Sequence, residues 1–341
     1  MGWNSWDCYG ASVTEKELRQ NIDYMAGHLR DHGRLMPAPN RFPSAANGKG
    51  FKEIADYTHS KGLKFGIHIM RGIPRQAVAQ NVKIKDSKYT AREAAHPSSI
   101  CCWNTDMYGL DTTKPGAQDY YDSILELYAS WGVDFIKVDD ICVKYGRPGD
   151  ESTLEYGGDE IEMFRRCNNW SPYVSQGCYP DCDMLPIGHI SIRGCEHGLT
   201  DRQTRLSKEE QRTMFTLWCI FRSPMMLGCE LTDMDEWTKS LVTNDEVLGL
   251  LKKSRNAHQV LRTGDFILWK AEDEEGNTYA AFFNITNWEE TFSVSLKQLG
   301  LEGKCQVYDM WSGEDLGEAE EAIDRPDYII FPFQPTFFWS Q

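Results

Sequence analysis

An aspartate at the end of a short apolar run is the feature that most constrains this sequence. Asp139 directly follows the apolar run 133–138, and a helix-like segment at 116–131 and Gly132 precede that run. The order of helix, glycine, β-branched run and acid is how an α/β barrel places a carboxylate at the carboxyl end of a strand. Such barrels keep their chemistry at that end. The pattern therefore predicts an α/β barrel in which Asp139 is a catalytic side chain.

Two charged residues accompany Asp139. Lys137 lies two residues earlier, so it shares one face of the predicted strand with Asp139. A cation near a carboxylate favours the ionised form, which is the form that a nucleophile needs. A lysine on a buried strand is uncommon, and we therefore expect Lys137 to be functional rather than structural. Asp140 follows Asp139 at once, and its role stays open.

Helices and strands alternate through residues 1–255. Thr14 and Glu17 predict a capping box at the start of an amphipathic helix. A second helix begins near Phe51 and ends at Gly62, and a strand is expected at 63–69. This alternation predicts a parallel sheet with right-handed crossovers. Further predicted elements are a strand at 2–6, a strand end or loop at 180–185, a helix capped by Ser207 and Glu210, a strand at 225–227 and a helix from Asn244 through Lys253.

The pattern changes at about residue 256. Short alternating runs at 266–269, 279–283, 291–294, 305–308 and 328–331 are separated by glycine-containing turns. Such runs predict an antiparallel β-sandwich. We therefore expect a catalytic barrel-type domain at 1–255 and a C-terminal β-sandwich domain at 256–341.

The predicted barrel has too few strands. Five strands can be assigned before residue 256, and no apolar run is available for a strand between residues 33 and 51 or between 163 and 170. A barrel of five strands would have open edges and an underfilled interior. The sequence therefore predicts an incomplete barrel.

Composition limits the possible partners. The net charge of −15 argues against a nucleic-acid partner, and no Gly-x-Gly-x-x-Gly motif indicates a nucleotide site. No apolar run approaches the ~18 residues of a membrane span, and no secretory leader is recognised at the start, so localisation stays open. The eleven cysteines contain no paired C-x-x-C motif, so structural zinc is not expected. Eleven Trp and fifteen Tyr indicate a large core, or platforms for sugars.

Four segments resemble glycoside hydrolase family 27, the melibiase or α-galactosidase family. Residues 1–6, 131–139 and 180–185 are similar to the first, fourth and seventh strands of the family, and 218–227 is similar to the approach to the eighth strand. The resemblance implies a (β/α)8 TIM barrel followed by an antiparallel β-sandwich. It also implies removal of terminal α-linked galactose from an oligosaccharide or glycoconjugate, without a metal or cofactor.

The resemblance also implies roles for individual residues. Asp139 would be the nucleophile of a retaining double displacement, and Lys137 would bind the sugar beside it. Trp6 and Asp183 would line the galactose pocket. His68 falls where relatives often have a tyrosine that touches the sugar. A core histidine is the alternative reading for His68.

Two cysteines are candidates for a disulfide on the same grounds. Cys102 and Cys142 are near positions at which relatives form a disulfide between loops, although the register after Asp140 is shifted by one residue. A disulfide between them is therefore expected only from the resemblance.

The chain departs from the family pattern at its second carboxylic acid. The family has an acidic pair on its second strand and an Arg-x-x-x-Asp motif, with the acid/base aspartate, on its sixth strand. Here the only Arg-x-x-x-Asp is Arg19 to Asp23, on an amphipathic helix. Asp181 and Asp183 are the remaining candidates by position. The missing acid/base motif makes a catalytically impaired sugar-binding remnant one alternative. An α-N-acetylgalactosaminidase is another, because the pocket wall that decides between the two sugars in the family lies on its fifth strand, for which no segment is found here.

Overall fold

The computed structural model describes residues 2–28, 41–46, 49–101, 106–139, 158–175, 179–193, 200–264, 266–286, 292–325 and 335–340. It divides into two compact units, Met1–Asp150 and Glu151–Gln341. The boundary expected between residues 255 and 256 falls inside the second unit and stays a prediction. Within the described ranges, no helix has both the length and the apolar character needed to cross a membrane.

The first unit contains short strands and amphipathic helices, with 3-10 turns at Gly10–Ser12 and Pro43–Ala45. Its elements in chain order are β1 (Gly2–Trp3), α1 (Trp6–Tyr9), α2 (Glu15–His28), α3 (Lys52–Ser60), β2 (Gly66–Met70), β3 (Ile73–Pro74), α4 (Arg75–Gln80), α5 (Ala91–Ala94), β4 (Ala95–Ile100), β5 (Met107–Leu110), α6 (Pro115–Ser130) and β6 (Phe135–Asp139).

Helix boundaries in this unit follow the local signals in the sequence. The Thr14 N–H donates to Glu17 Oε2 at 2.9 Å, and the Glu17 N–H donates to Thr14 Oγ1 at 3.4 Å, which is a capping box at the start of α2. Gly132 follows α6 with φ +81°, and its N–H donates to the Ala129 carbonyl at 3.0 Å. Both predicted boundaries are confirmed.

Strands β2 and β6 pair in parallel, as expected. His68 lies opposite Lys137, and Met70 lies opposite Asp139. Asp134 fixes the start of this pair, because its Oδ2 accepts the Phe65 N–H at 2.8 Å while its own N–H donates to the Phe65 carbonyl at 2.8 Å. The carboxyl ends of the two strands therefore lie side by side.

The predicted first strand is too long. Extended structure covers only Gly2–Trp3, and Trp6 begins the helix α1 rather than ending a strand. The cause is local: Asn4 Oδ1 accepts the Trp6 N–H at 3.1 Å, and such an Asx turn ends an extended segment.

The segment 71–115 has more structure than its polar sequence indicates. Strands β3, β5 and β4 form an antiparallel sheet in that order, and a small core of Ile73, Val78, Ala91 and Ala95 packs beside it. The sequence did not predict this sheet, because β3 has two residues and β4 is polar and mostly exposed. Neither strand shows the alternation of apolar and polar residues by which half-buried strands are recognised.

The second unit begins with helices and ends in antiparallel strands, with 3-10 turns at Ser171–Tyr173 and Leu296–Leu299. Its elements are α7 (Gly158–Trp170), β7 (His189–Ile190), β8 (Arg202–Gln203), α8 (Lys208–Phe221), β9 (Met226–Leu227), α9 (Glu236–Val242), α10 (Asp245–Lys253), β10 (Arg255–Arg262), β11 (Phe266–Glu272), β12 (Thr278–Asn284), β13 (Phe292–Ser295), β14 (Cys305–Asp309), β15 (Glu314–Ala319), β16 (Ala322–Arg325) and β17 (Pro335–Ser340).

Two helices of this unit start at the predicted caps. Ser207 Oγ accepts the Glu210 N–H at 3.1 Å at the start of α8. Asn244 Oδ1 accepts the Val247 N–H at 3.1 Å at the start of α10. Each side chain satisfies a backbone donor that the first helical turn leaves unpaired.

The C-terminal strands form the expected antiparallel sandwich. One sheet has the order β10-β11-β12-β17-β14-β15, and β13 pairs with β16 in a second sheet. Side chains from both sheets share one core. The predicted strand at 328–331 lies outside the described residues. The core consists of Leu268, Ala280, Phe282, Val294, Leu296, Leu299, Cys305, Val307 and Ile323.

The expectation of an incomplete barrel stays a prediction. Among the described residues between α2 and α3, the only regular element is the 3-10 turn Pro43–Ala45. Between α7 and β7, the described residues contain the turn Ser171–Tyr173 and a bridge at Leu185 that pairs in parallel with Leu227. Residues 29–40 and 140–157 lie outside the described part of the chain.

Candidate functional site

The centre of the candidate site is a contact between two adjacent parallel strands. His68 on β2 lies with its Nε2 3.0 Å from Oδ2 of Asp139, the last residue of β6. The two side chains are 16% and 18% exposed, so the carboxylate is held in place yet remains accessible to a ligand. Backbone pairing continues past the strand end, because the Arg71 N–H donates to the Asp139 carbonyl at 3.0 Å. Asp139 is therefore fixed through both its backbone and its side chain.

Residues of the first turn of the chain complete this contact. Asn4 Nδ2 lies 3.2 Å from His68 Nδ1, so the imidazole lies between an amide and a carboxylate. The Trp6 ring meets the His68 ring edge to face, with 6.4 Å between ring centroids and 70° between ring planes. Asn4 is buried and Trp6 is half-buried. The structure therefore brings Trp6 and Asp139 into contact with the same imidazole, that of His68.

Lys137 occupies the position on β6 that the sequence predicts. It is only 8% exposed, and it lies opposite His68 in the strand register. Side chains of residues in register on neighbouring parallel strands share a face of the sheet, and so do residues two apart on one strand. Lys137, His68 and Asp139 therefore face the same side of the β2–β6 pair.

Asp183 lies in the second unit on an irregular segment. Its φ of +77° is unusual for a residue with a side chain, and its carbonyl accepts the Trp218 Nε1–H at 3.4 Å. Asp181 is exposed, and its Oδ1 accepts the Asp183 N–H at 2.9 Å, which stabilises the local turn. Asp183 is half-buried. The Asp183 backbone is therefore held on two sides, by Asp181 and by Trp218.

The segment after Asp183 is anchored by a histidine between two acids. His189 Nδ1 lies 2.5 Å from Asp233 Oδ2, and its Nε2 lies 2.5 Å from Asp201 Oδ1. Burial lowers the pKa of His189, but the hydrogen bonds to Asp201 and Asp233 outweigh burial and raise its pKa above the ordinary value. The imidazolium form is the form that both carboxylates stabilise.

We expect the stabilisation by His189 to depend on pH. A raised pKa in the folded state means that the stabilisation is complete below the unfolded-state pKa of about 6.5 and is lost as pH rises through the folded-state pKa. His189→Gln should therefore lower the free energy of unfolding by roughly 0.2–1 kcal/mol at pH 6 and by less at pH 9, because both carboxylates are largely exposed. Urea denaturation at the two pH values measures the difference.

A second histidine provides the control for this experiment. His258 Nδ1 hydrogen-bonds to the Asn256 carbonyl at 2.7 Å rather than to a carboxylate. His258→Gln should therefore not reproduce the pH-dependent difference. Equal losses at pH 6 and pH 9 in His189→Gln would contradict the assignment of the imidazolium form.

Asp140, Cys102 and Cys142 lie outside the described part of the chain. The disulfide between the two cysteines therefore stays a prediction. Asp139 immediately precedes the undescribed range 140–157. Within the described ranges, no group of three or more His, Cys, Asp or Glu side chains is arranged to hold a metal ion.

The Arg-x-x-x-Asp spacing on α2 marks a surface of that helix. Arg19 pairs with Glu15 at 2.8 Å, and Asp23 Oδ1 accepts the Tyr57 hydroxyl at 2.7 Å. Arg19 also lies over the Tyr57 ring, 4.5 Å from its centroid. These contacts join α2 to α3 at the solvent-exposed face of α2. A solvated helix face is what the sequence predicts for this spacing.

Asn4 is a site residue that sequence reasoning missed. It stands inside the segment that resembles the first strand of the family, but its side chain was not given a role. The available signal was an amide in a segment that contains two tryptophans, Trp3 and Trp6, since an amide buried among such side chains requires hydrogen-bond partners. Its partner His68 is 64 residues away in the sequence.

Known proteins match the chain along its whole length. A family profile described as the alpha galactosidase C-terminal beta sandwich domain matches residues 263–327. The crystal structure of a family 27 β-L-arabinopyranosidase from Geobacillus stearothermophilus is 43% identical, with a TM-score of 0.90, and the match covers 100% of this chain and 95% of that chain. It bears out the expected fold class, a TIM barrel followed by an antiparallel β-sandwich.

Curated relatives agree with this assignment at lower identity. An alpha-galactosidase from Cyamopsis tetragonoloba is 24% identical over 405 residues, covering 98% of this chain and 86% of the relative. An alpha-galactosidase A from Cellvibrio japonicus is 25% identical over 345 residues, covering 83% of this chain and 75% of the relative.

Proposed function

Because the chain belongs to glycoside hydrolase family 27, we propose that it removes a terminal α-linked galactose from an oligosaccharide or glycoconjugate, with Asp139 as the nucleophile. The observation that carries this proposal is the position of Asp139. It ends the parallel strand β6, its carboxylate is 18% exposed, and His68 holds it at 3.0 Å. A carboxylate fixed at the carboxyl end of a barrel strand is suited to attack a bound sugar.

The proposed reaction is a retaining double displacement. Asp139 attacks the anomeric carbon, the bond to the leaving oxygen breaks, and a glycosyl-enzyme ester forms. Water then attacks the same carbon, the ester bond breaks, and the Asp139 carboxylate is restored. A second carboxylic acid gives a proton to the leaving oxygen and later takes one from water, which requires carboxyl groups about 5–5.5 Å apart.

Other residues of the site would bind the sugar. The Lys137 ammonium has donors for sugar hydroxyls, and the Trp6 ring offers an apolar face for the C–H side of the pyranose. The roles of Lys137 and Trp6 are supported by the common face of Lys137 and Asp139 and by the packing of Trp6 on His68. The sugar-binding role expected of Asp183 stays a prediction.

A catalytically impaired remnant is a second candidate, and one observation favours it. The match with the Cyamopsis protein extends over 405 aligned positions, which is more than the 341 residues of this chain. The relative therefore has residues inside the matched region that have no counterpart here. Loss of the acid/base group would lower the rate by roughly 10²–10⁴-fold. The decrease would be smallest for substrates whose leaving group departs without a proton.

The sugar specificity has a further alternative. The Geobacillus relative, at 43% identity, is a β-L-arabinopyranosidase, whereas the Cyamopsis alpha-galactosidase is 24% identical. β-L-Arabinopyranose has the ring configuration of α-D-galactopyranose but lacks the hydroxymethyl group. An α-N-acetylgalactosaminide differs instead by an acetamido group at C2. The same nucleophile and the same ring contacts suit all three sugars.

Hydrolysis of three nitrophenyl glycosides tests the proposal. We expect the α-D-galactopyranoside to be cleaved with the highest kcat/KM, and NMR should detect α-galactose as the first product. A higher kcat/KM for the β-L-arabinopyranoside or the α-N-acetylgalactosaminide would assign the substrate to that sugar. Cleavage of a nitrophenyl glycoside, without measurable cleavage of the corresponding methyl glycoside, whose leaving group requires a proton, would identify the impaired remnant.

A further inference from the structure

We propose that Asn4 is a positioning residue, which sets the tautomer of His68 and through it the position of the Asp139 carboxylate. The effect of Asn4 on catalysis rests on the proposed function, whereas the tautomer of His68 can be measured without any activity. Three contacts carry it: Trp6 N to Asn4 Oδ1 at 3.1 Å, Asn4 Nδ2 to His68 Nδ1 at 3.2 Å, and His68 Nε2 to Asp139 Oδ2 at 3.0 Å.

The first contact fixes the orientation of the Asn4 amide. A backbone N–H can only donate, so the Asn4 atom that faces the Trp6 N–H must be the carbonyl oxygen Oδ1. The NH₂ group therefore points to His68. Asn4 is 3% exposed, so bulk water could not replace the hydrogen bonds that a reversed amide would lose. The Asn4 orientation follows from the backbone alone.

The second contact fixes the proton of the imidazole. Because Asn4 Nδ2 donates, His68 Nδ1 must present its lone pair, and the ring proton must be on Nε2. Nε2–H then donates to Asp139 Oδ2. The opposite tautomer would place two donors together at Asn4 and two acceptors together at Asp139.

The result is an N–H donor at the nucleophile. The Nε2–H holds the Asp139 carboxylate in one orientation, and attack on an anomeric carbon requires such a fixed orientation. Asn4 therefore acts on Asp139 through His68, without touching a substrate itself.

Nitrogen NMR of the wild-type protein tests the proposal directly. In protein labelled with ¹⁵N-histidine, the His68 signals, assigned by their loss in His68→Gln, should show a protonated Nε2 and an unprotonated Nδ1 at neutral pH. A proton on Nδ1, in either the neutral or the charged ring, would overturn the proposal. This measurement requires no activity, so it stands even if the sugar chemistry proposed above fails.

Asn4→Asp changes the partner of the imidazole with little change of shape. A carboxylate at this position accepts rather than donates, so a proton is expected on His68 Nδ1 in this variant. If the proposed function holds, kcat should fall about 10- to 100-fold, as expected for a hydrogen bond to a charged group, with KM changed by less than about threefold. An unchanged His68 spectrum in a folded Asn4→Asp protein would contradict the role of Asn4.

The matched control is another buried amide of the same unit. Asn21 is 1% exposed, and its Nδ2 donates to the Glu17 carbonyl within α2 at 3.0 Å. Asn21→Asp should leave the His68 signals and kcat unchanged. If Asn21→Asp shifts the His68 signals as Asn4→Asp does, the effect comes from a buried charge in general and the proposal is wrong.

Discussion

Asp139→Ala is expected to lower kcat for nitrophenyl α-galactoside by a factor on the order of 10⁴ or more. The reason is that the variant lacks the oxygen that would bond to the anomeric carbon, and His68 Nε2 loses its acceptor at 3.0 Å. KM should change far less, because Lys137 and Trp6 remain. Steady-state release of nitrophenol measures both constants.

Rescue of the variant by azide distinguishes a nucleophile from an acid/base residue. In Asp139→Ala, azide fits the space left by the carboxylate and can attack the anomeric carbon once. We expect the rate to recover with azide and the product to be the β-galactosyl azide, which has the inverted anomeric configuration. The α-azide would instead assign Asp139 to the acid/base role.

An exposed aspartate of the same unit is the matched control. Asp122 on α6 is exposed and accepts a hydrogen bond from Gln118 Nε2 at 2.7 Å. Asp122→Ala should keep the wild-type kcat and show no response to azide. In the wild-type protein, a fluorinated galactosyl donor should label Asp139, as detected by mass spectrometry of the digested protein.

The sequence predicted those parts of the fold whose signals are local. The caps at Thr14, Ser207 and Asn244, and the glycine that ends α6, all involve residues within four positions of one another, and the structure confirms them. Asp139 at the end of β6 belongs to the same class, because helix, glycine and strand stand in one continuous segment. Such features can be found without knowing which segments meet.

Features that depend on distant residues could not be predicted in this way. The hydrogen bond from His68 Nε2 to Asp139 joins residues 71 positions apart, and no local signal predicts it. Contact of His68 with a sugar stays a prediction. Asn4 has no local signal for its partner, and Trp6 was placed on a strand that an Asx turn ends at Trp3. His68 and Asn4 are placed by hydrogen bonds to distant side chains, and the turn at Trp6 is placed by a hydrogen bond from its backbone N–H to the Asn4 side chain. Hydrophobic periodicity gives no access to such bonds.

The antiparallel sheet β3-β5-β4 was missed because β3 and β4 lack the alternation of apolar and polar residues by which strands are recognised. Gly72, which precedes β3, shows how tightly this sheet is packed. Gly72 has φ +91°, and its N–H donates to the Tyr121 hydroxyl at 2.9 Å. A Cβ added at this position would lie 2.0 Å from the carbonyl oxygen of Tyr108 on β5. Since that atom belongs to the backbone, the sheet itself would have to move.

Gly72→Ala is therefore expected to destabilise the protein by at least about 2 kcal/mol, through the positive φ and the clash together. The neighbouring Arg71 N–H donates to the Asp139 carbonyl, so kcat should fall as well. Gly27→Ala in α2 is the control, because a Cβ there meets no atom within 4 Å and should stabilise the helix by roughly 0.5–1 kcal/mol. Thermal and urea denaturation measure both changes, and a Gly72→Ala protein as stable as wild type would show that β5 does not approach Gly72 so closely.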